Sequence, residues 1–443
     1  MRQTMQVTLQ LHNDGEWQDA YKLQIELPEQ GASSPVKFEV LHGYAVNYIG
    51  ERNSRSFSSN YEVNPMDIAS FKRWPAVLDD VLPTGYARQK WLEILGLQQA
   101  SPAEQAISLL TQAAISPIGN IRVKESVERA QAETHPELET MKFSQRDVVE
   151  RDHDFLDYAR ARGALSGGAT GAGGAAPKLL LRRTDNQQVW IDTLQCDIQT
   201  DAHYLVKFPR GKESIHADIL RAEAAYYRIL DEWLKINTID TTQMLLIEGA
   251  RQPSLWLPRF DRVHNKSSIH RYGLESVYSL LNKEAGTFLR HEDVLAKLCG
   301  VINSQDSESI VIDYLKRDLL NLILGNTDNH GRNIAVLKTA TSTTLAPVFD
   351  FAPMKADPEQ IIRTTTWSNQ FERAGQVDWL QLCDALQSYG DPERFKHELT
   401  ELAEKLTKLT DALEHYQVPK SIIDFPALAL SYTNEKLKRW GLL

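Results

Sequence analysis

One stretch limits the possible folds more than any other. An apolar run with helical spacing, Tyr314–Leu324, stops abruptly at nine polar residues, Gly325-Asn-Thr-Asp-Asn-His-Gly-Arg-Asn333. An apolar strand pattern, Ile334–Leu337, follows at once. Gly, Asn and Asp together end a helix and force a tight loop, so the chain must pass from helix to loop to strand here. Asp350-Phe351 follows seventeen residues after Asn333. The polar loop therefore sits between two apolar elements, with a second acid at a fixed interval.

Upstream the pattern has period two. Val7, Leu9 and Leu11 alternate with polar residues, Asn13-Asp14-Gly15 offers a turn, and Leu23, Ile25 and Leu27 then Val36, Phe38 and Val40 alternate again. This predicts a half-buried antiparallel sheet. Helical spacing over 86–97 and 103–114 completes an α+β module over residues 1 to about 120. A charged connector, 121–162, comes next. Residues 163–176 then hold six Gly and five Ala among fourteen positions, a composition with high backbone entropy and little to bury. Strands are expected at Leu179–Leu181, Val189–Ile191, Tyr204–Phe208, Met244–Ile247 and Leu255–Leu257, with one long helix over Ser214–Leu234. From about 265 the pattern is mainly helical. The expected fold class is α+β: a β-rich lobe over 163–262, a helical lobe over 263–443, and the N-terminal module beside them.

Bulk properties remove several function classes. The formal net charge is −10, which opposes direct binding to a phosphate backbone, so contact with DNA is expected mainly through a partner. Cys196, Cys299 and Cys383 are widely spaced and form no CxxC pair, which argues against a zinc site or disulfide framework and fits a reducing cytosol. The opening residues lack a signal-peptide core, and no uncharged apolar run reaches the ~18 residues a membrane span needs. The expected location is cytoplasmic, with no membrane partner. No HExxH, Gly-x-Ser-x-Gly or Walker A pattern is present, and Trp256, Trp367 and Trp379 read as packing residues.

Phosphoryl transfer asks little covalent work of a protein. It needs a group to orient the acceptor hydroxyl and hard oxygen ligands for Mg²⁺ bridging the phosphates. Asp328 suits the first role; Asn333 and Asp350 suit the second. The Asp-x4-Asn spacing, followed by a strand-borne Asp-Phe, matches the catalytic loop and metal motif of protein kinases. Arg332 is placed to screen phosphate charge. Lys207 ends an alternating strand, where kinases hold the α- and β-phosphates, and Glu223 lies sixteen residues on, along the expected helix, as its carboxylate partner. Asp261, in Pro258-Arg-Phe-Asp-Arg262 between the lobes, is a candidate for the ribose hydroxyls. Taken alone, each of these segments also reads as an ordinary polar loop or exposed strand residue; their order in one chain favours the phosphotransferase.

The motifs GNTDNHGRN, VFDFAP, YLVKFP, PRFDR and AAPK occur in the order found in the HipA-like kinases, and the chain resembles the HipA toxins of bacterial toxin–antitoxin pairs over nearly its whole length. The resemblance implies an ATP- and Mg²⁺-dependent serine/threonine protein kinase with a two-lobed kinase-like fold. It implies Asp328 as catalytic base and Asn333 and Asp350 as metal ligands. Lys207 with Glu223 would hold ATP phosphate, Phe260 and Asp261 would meet adenine and ribose, and Gly174, Ala175 and Lys178 would belong to the loop over the phosphates. His330 and Arg332 stand within the ATP-site motif. Such kinases phosphorylate protein hydroxyls, an aminoacyl-tRNA synthetase among them. They are neutralised by a small helix-turn-helix antitoxin of the HipB type that binds operator DNA, which implies a part in autorepression. Two positions depart from conventional kinases: Ala352 replaces the glycine of DFG, and Thr327 the arginine of HRD. Silencing by autophosphorylation uses a serine in the flexible loop, where this chain has Gly171, so Thr170 or Ser166 is the expected site. A small-molecule or lipid kinase, and a catalytically dead kinase-fold corepressor, are the competing readings.

Overall fold

The computed structural model describes residues 4–66, 68–133, 140–161, 178–195, 197, 201–265 and 268–443. Ser166, Thr170, Gly174 and Ala175 lie outside the described residues, as does Cys196.

The alternating segments build two antiparallel sheets. The first contains β1 (Met5–Asn13), β2 (Glu16–Ile25), β3 (Val36–Val40), β4 (Ala69–Phe71) and β5 (Ile121–Val123), in the order β4-β3-β2-β1-β5. The β1–β2 turn places both Asp14 and Gly15 at positive φ, a conformation that Asp tolerates and Gly adopts freely. Val7, Leu9, Leu11, Leu23, Ile25, Val36 and Phe38 are buried in one core. Here the boundary differs from the expectation. β5 begins just past residue 120 and pairs with β1 (Leu9 opposite Val123), and Val127 of the helix Lys124–Glu133 joins the same core. Three residues are too few to display an alternation, so β5 was invisible as a strand.

The second sheet contains β6 (Phe143–Ser144), β7 (Lys178–Arg183), β8 (Gln188–Ile191), β9 (Ala202–Lys207), β10 (Leu245–Glu248) and β11 (Pro253–Pro258), in the order β10-β11-β9-β7-β8-β6. The segment read as a connector thus supplies an edge strand. The helix Ser214–Arg228 buries Ile219, Leu220, Ala224 and Tyr227. It widens over Ile229–Leu234 into a π-helical turn that stops at Lys235, φ +59°, so the single helix expected over 214–234 changes pitch in its last six residues.

The C-terminal half is helical around one large core, but not wholly so. Gly273–Ser276, Ala335–Lys338 and Thr343–Leu345 form a three-stranded sheet beneath the polar loop. The helix Ser307–Leu324 is capped by the Asp306 carboxylate, which accepts from Ser309 N–H at 2.7 Å, and ends at Gly325, φ +72°. Trp256, Trp367 and Trp379 are buried packing residues, as expected. The N-terminal module docks on this half through buried carboxylates. Glu275 accepts from Ser58 Oγ (2.6 Å) and Ser59 N–H (2.7 Å), and Asp80 accepts from Ser276 N–H (2.9 Å). Among the described residues no helix is long and apolar enough to cross a membrane.

Candidate active site

Between the second sheet and the helical half lies a cleft of about 430 Å³ whose lining includes Lys178, Lys207, Glu223, Asp328, His330 and Asp350. β7 and β9 are antiparallel neighbours with Lys178 directly opposite Lys207, so the register brings two lysines to one place. The Asp350 carboxylate takes one on each oxygen: Lys207 Nζ on Oδ1, and Lys178 Nζ on Oδ2 at 3.0 Å. Lys207 also contacts Glu223 Oε1, and Tyr227 O–H donates to the same oxygen at 3.0 Å while accepting from Phe351 N–H at 3.3 Å. Burial pushes the Asp350 carboxyl up, but Lys178 and Lys207 outweigh it and hold the group well below the usual carboxylate range. Burial likewise pulls the Lys207 ammonium down, and Asp350 and Glu223 reverse this, holding it well above its ordinary value. Two cations and two anions thus lock one another. Asp350 is held at φ +54°, a left-handed conformation uncommon for a residue with a Cβ.

The polar loop is braced from within. Asn326 Oδ1 accepts from Asp328 N–H (3.2 Å), Asn333 Nδ2 donates to the Asp328 carbonyl (2.7 Å), and Arg332 N–H donates to His330 Nδ1 (3.2 Å). His330 Nε2 lies 3.3 Å from Asp328 Oδ1. These bonds fix the backbone around Asp328 while its carboxylate lines the cleft. Asn333 lines a smaller cavity, where its Oδ1 is buried with no hydrogen-bond partner among the described residues. This amide oxygen and the Asp350 carboxylate are both of the hard oxygen type that Mg²⁺ takes, but they line different cavities, Asn333 the smaller one and Asp350 the cleft, and each Asp350 oxygen is engaged by a lysine. Among the described residues there is no cluster of three His, Cys, Asp or Glu that could hold a metal.

A small apolar recess adjoins the cleft, bounded by Leu257, Phe260, Leu274, Phe349, Lys178 and Asp350, with the Phe260 and Phe349 rings 5.6 Å apart. Two expected ligands are used otherwise. The Asp261 carboxylate accepts from Arg259 Nε (2.9 Å) and Nη2 (2.7 Å), Arg262 Nη1 (2.7 Å) and Gly119 N–H (2.7 Å), all buried. It ties the interlobe segment to the N-terminal module, and although Asp261 borders this recess, its engagement by four donors favours a structural role over the expected ribose contact. Arg332 is also buried and turned away from the cleft, with Nη2 3.4 Å from the Asp79 carbonyl, so it belongs to the docking face and not to a phosphate site.

Other residues were missed. Tyr227 stands four residues after Glu223, a helical i,i+4 pair legible in principle. Asp318 accepts from Trp367 Nε1 (2.8 Å) and Arg363 Nη2 (3.3 Å), and has His291 Nε2 at 3.3 Å, bracing the helix before the loop. Arg210 meets Asp357 (3.3 Å) and Glu359 (2.5 Å) across the cleft. Their partners are distant in sequence and carried no local signal.

A β-rich lobe and a helical lobe enclosing a lysine–acid cleft define a two-lobed, kinase-like α+β fold. The model of the HipA-like C-terminal domain matches residues 170–410, more than half of the chain, and the chain belongs to the HipA family. Its structure is similar to that of Shewanella oneidensis MR-1 HipA, solved with HipB and operator DNA. The match covers 98% of this chain and 96% of that one, with a TM-score of 0.65 at 14% identity. A partial likeness, to the Helicobacter pylori proinflammatory kinase CtkA, covers 62% of this chain and 89% of that one, at 14% identity and a TM-score of 0.37. Toxin YjjJ of Escherichia coli strain K12 is 25% identical over 227 residues, 47% of this chain and 49% of that protein, so the chain spans about half the length of the curated relative it matches.

Proposed function

We propose that this chain is the kinase toxin of a toxin–antitoxin pair, transferring the γ-phosphoryl group of ATP to serine or threonine hydroxyls with Mg²⁺. The observation that carries the reading is Lys207, pinned between Glu223 and Asp350 in the cleft that Asp328 also lines. Asp328 takes the proton of the acceptor hydroxyl, and His330 beside it orients the carboxylate. Lys207 and Lys178 turn from Asp350 to the phosphates, and Glu223 and Tyr227 keep Lys207 in place as they do so. Asn333 and Asp350 would hold Mg²⁺, which neutralises charge on the phosphates. Phe260 and the recess around it suit adenine.

The partner is a helix-turn-helix antitoxin of the HipB type, which carries most of the contact to operator DNA and lets the pair repress its own operon. The net charge of −10 supports that division of labour, as does the Shewanella HipA–HipB–DNA complex. The substrate is a protein hydroxyl, an aminoacyl-tRNA synthetase being the candidate. Thr170 or Ser166 is the self-silencing site, and the location is cytoplasmic, on the nucleoid when bound to antitoxin and DNA. Calorimetric titration with ATP tests the site. We expect binding that strengthens with Mg²⁺ in the wild type and loses that Mg²⁺ dependence in Asp350→Asn. Binding indifferent to Mg²⁺ in the wild type contradicts the reading.

A further inference from the structure

Residues 357–363 form a strap with a cavity on each side. One is the cleft of Lys207, Asp328 and Asp350. The other is an open groove of about 1040 Å³. Asp357, Gln360, Ile361 and Ile362 line both, and Arg210 holds the strap through Asp357 and Glu359. The polar loop is likewise shared, with Asp328 lining the cleft and its neighbour Thr327 lining the groove. The cleft and the groove therefore meet at consecutive residues of the polar loop.

The groove's charges are unbalanced. Its acids are already engaged: Asp357 by Arg210, and Glu372 by Arg363 (2.6 Å) and Trp367 N–H (3.0 Å). Lys355 and Lys436 remain, near Gly325 and Leu428. Among the described residues Lys436 Nζ donates only to the Leu428 carbonyl (2.9 Å), and neither lysine pairs with a carboxylate. Burial, and secondarily the neighbouring Lys355, pull the Lys436 ammonium down to about 8. In a chain of net charge −10 such a pair is a local exception. Ile362, 67% exposed, with Phe425 and Trp440, adds apolar wall.

We propose that this groove takes an acidic, extended stretch of a protein substrate, with an Asp or Glu side chain on Lys355 and Lys436 and the acceptor Ser or Thr turned toward Asp328. The inference rests on the kinase reading and gives it a substrate class. It is tested by fluorescence anisotropy on the full chain carrying Asp328→Asn, with labelled peptide pools that share a central Ser in acidic, neutral or basic surroundings. The acidic pool should bind at least tenfold more tightly than the others, and Lys355→Glu and Lys436→Gln should each remove most of that advantage. Lys355 is exposed, so its variant keeps the test valid if Lys436→Gln is unstable. Equal binding of the three pools, or an acidic preference that survives both changes, overturns the proposal. So does a short DNA duplex that competes for the same lysines more strongly than the acidic pool, since the groove would then read phosphate. Acidic peptides that bind through the lysines yet gain no phosphate from a wild type that phosphorylates itself with Mg²⁺–ATP would overturn the substrate assignment, whereas a wild type that neither binds ATP nor gains phosphate would overturn the kinase reading on which it rests.

Discussion

Asp261→Asn separates a structural carboxylate from a nucleotide ligand. The wild-type side chain receives three guanidinium N–H bonds and one backbone N–H in a fully buried setting, and Arg259 is shared with Asp192 at 2.9 Å. Asn keeps an acceptor for Gly119 but turns an N–H₂ group toward a guanidinium, donor against donor. Removing one partner of a buried ion pair costs about 3–5 kcal/mol. The Asp192 contact and the retained carbonyl oxygen place the expected loss near the lower end, about 3 kcal/mol. Because Asp261 joins the interlobe segment to the N-terminal module, the loss should appear as a lower urea midpoint and as faster proteolysis between that module and the rest. Affinity for Mg²⁺–ATP, measured where the variant is folded, should change less than threefold. An unchanged urea midpoint together with tenfold weaker ATP binding would refute this argument and restore the ribose role.

Two further changes probe other parts of the account. Burial raises the Asp80 carboxyl to about 7, against an ordinary value of 3.8. An acid with a raised folded pKa contributes stability that is lost as pH rises from about 4 through 7, so the stability of Asp80→Asn relative to wild type should climb across that window in urea titrations, and a flat difference would contradict it. Glu223→Gln leaves Lys207 with Asp350 alone. A hydrogen bond to a charged group contributes about 1.5–3 kcal/mol, so Mg²⁺–ATP affinity should fall about tenfold to a hundredfold with the circular dichroism spectrum unchanged.

The core of the site was readable because its members stand on regular elements or at fixed intervals from them, although Asp350 falls in a bend at φ +54° and not in the strand expected for it. Lys207 ends a period-two strand, Glu223 sits on an amphipathic helix, and Asp328 and Asp350 flank a strand at fixed intervals. What failed depended on contacts far away in sequence. Asp261 looked like a free acid, yet Arg259 and Arg262 flank it, and a charged run that can satisfy itself was a warning. Its remaining partner, Gly119, is 142 residues distant. Arg332 was misread because its acceptor lies 253 residues upstream. Strands β5 and β6 have three and two residues, and Gly273–Ser276 is no longer than four, so periodicity had nothing to act on. Their place comes from pairing, which a local pattern does not record.

Intact-mass analysis after incubation with Mg²⁺–ATP, wild type beside Asp328→Asn, tests the central claim most directly. The arrangement predicts addition of phosphate to the wild type and at least a hundredfold slower addition to the variant, with both proteins equally folded. Equal phosphate gain in the two would remove Asp328 from the chemistry. No gain in the wild type, together with no ATP binding, would contradict the kinase assignment itself.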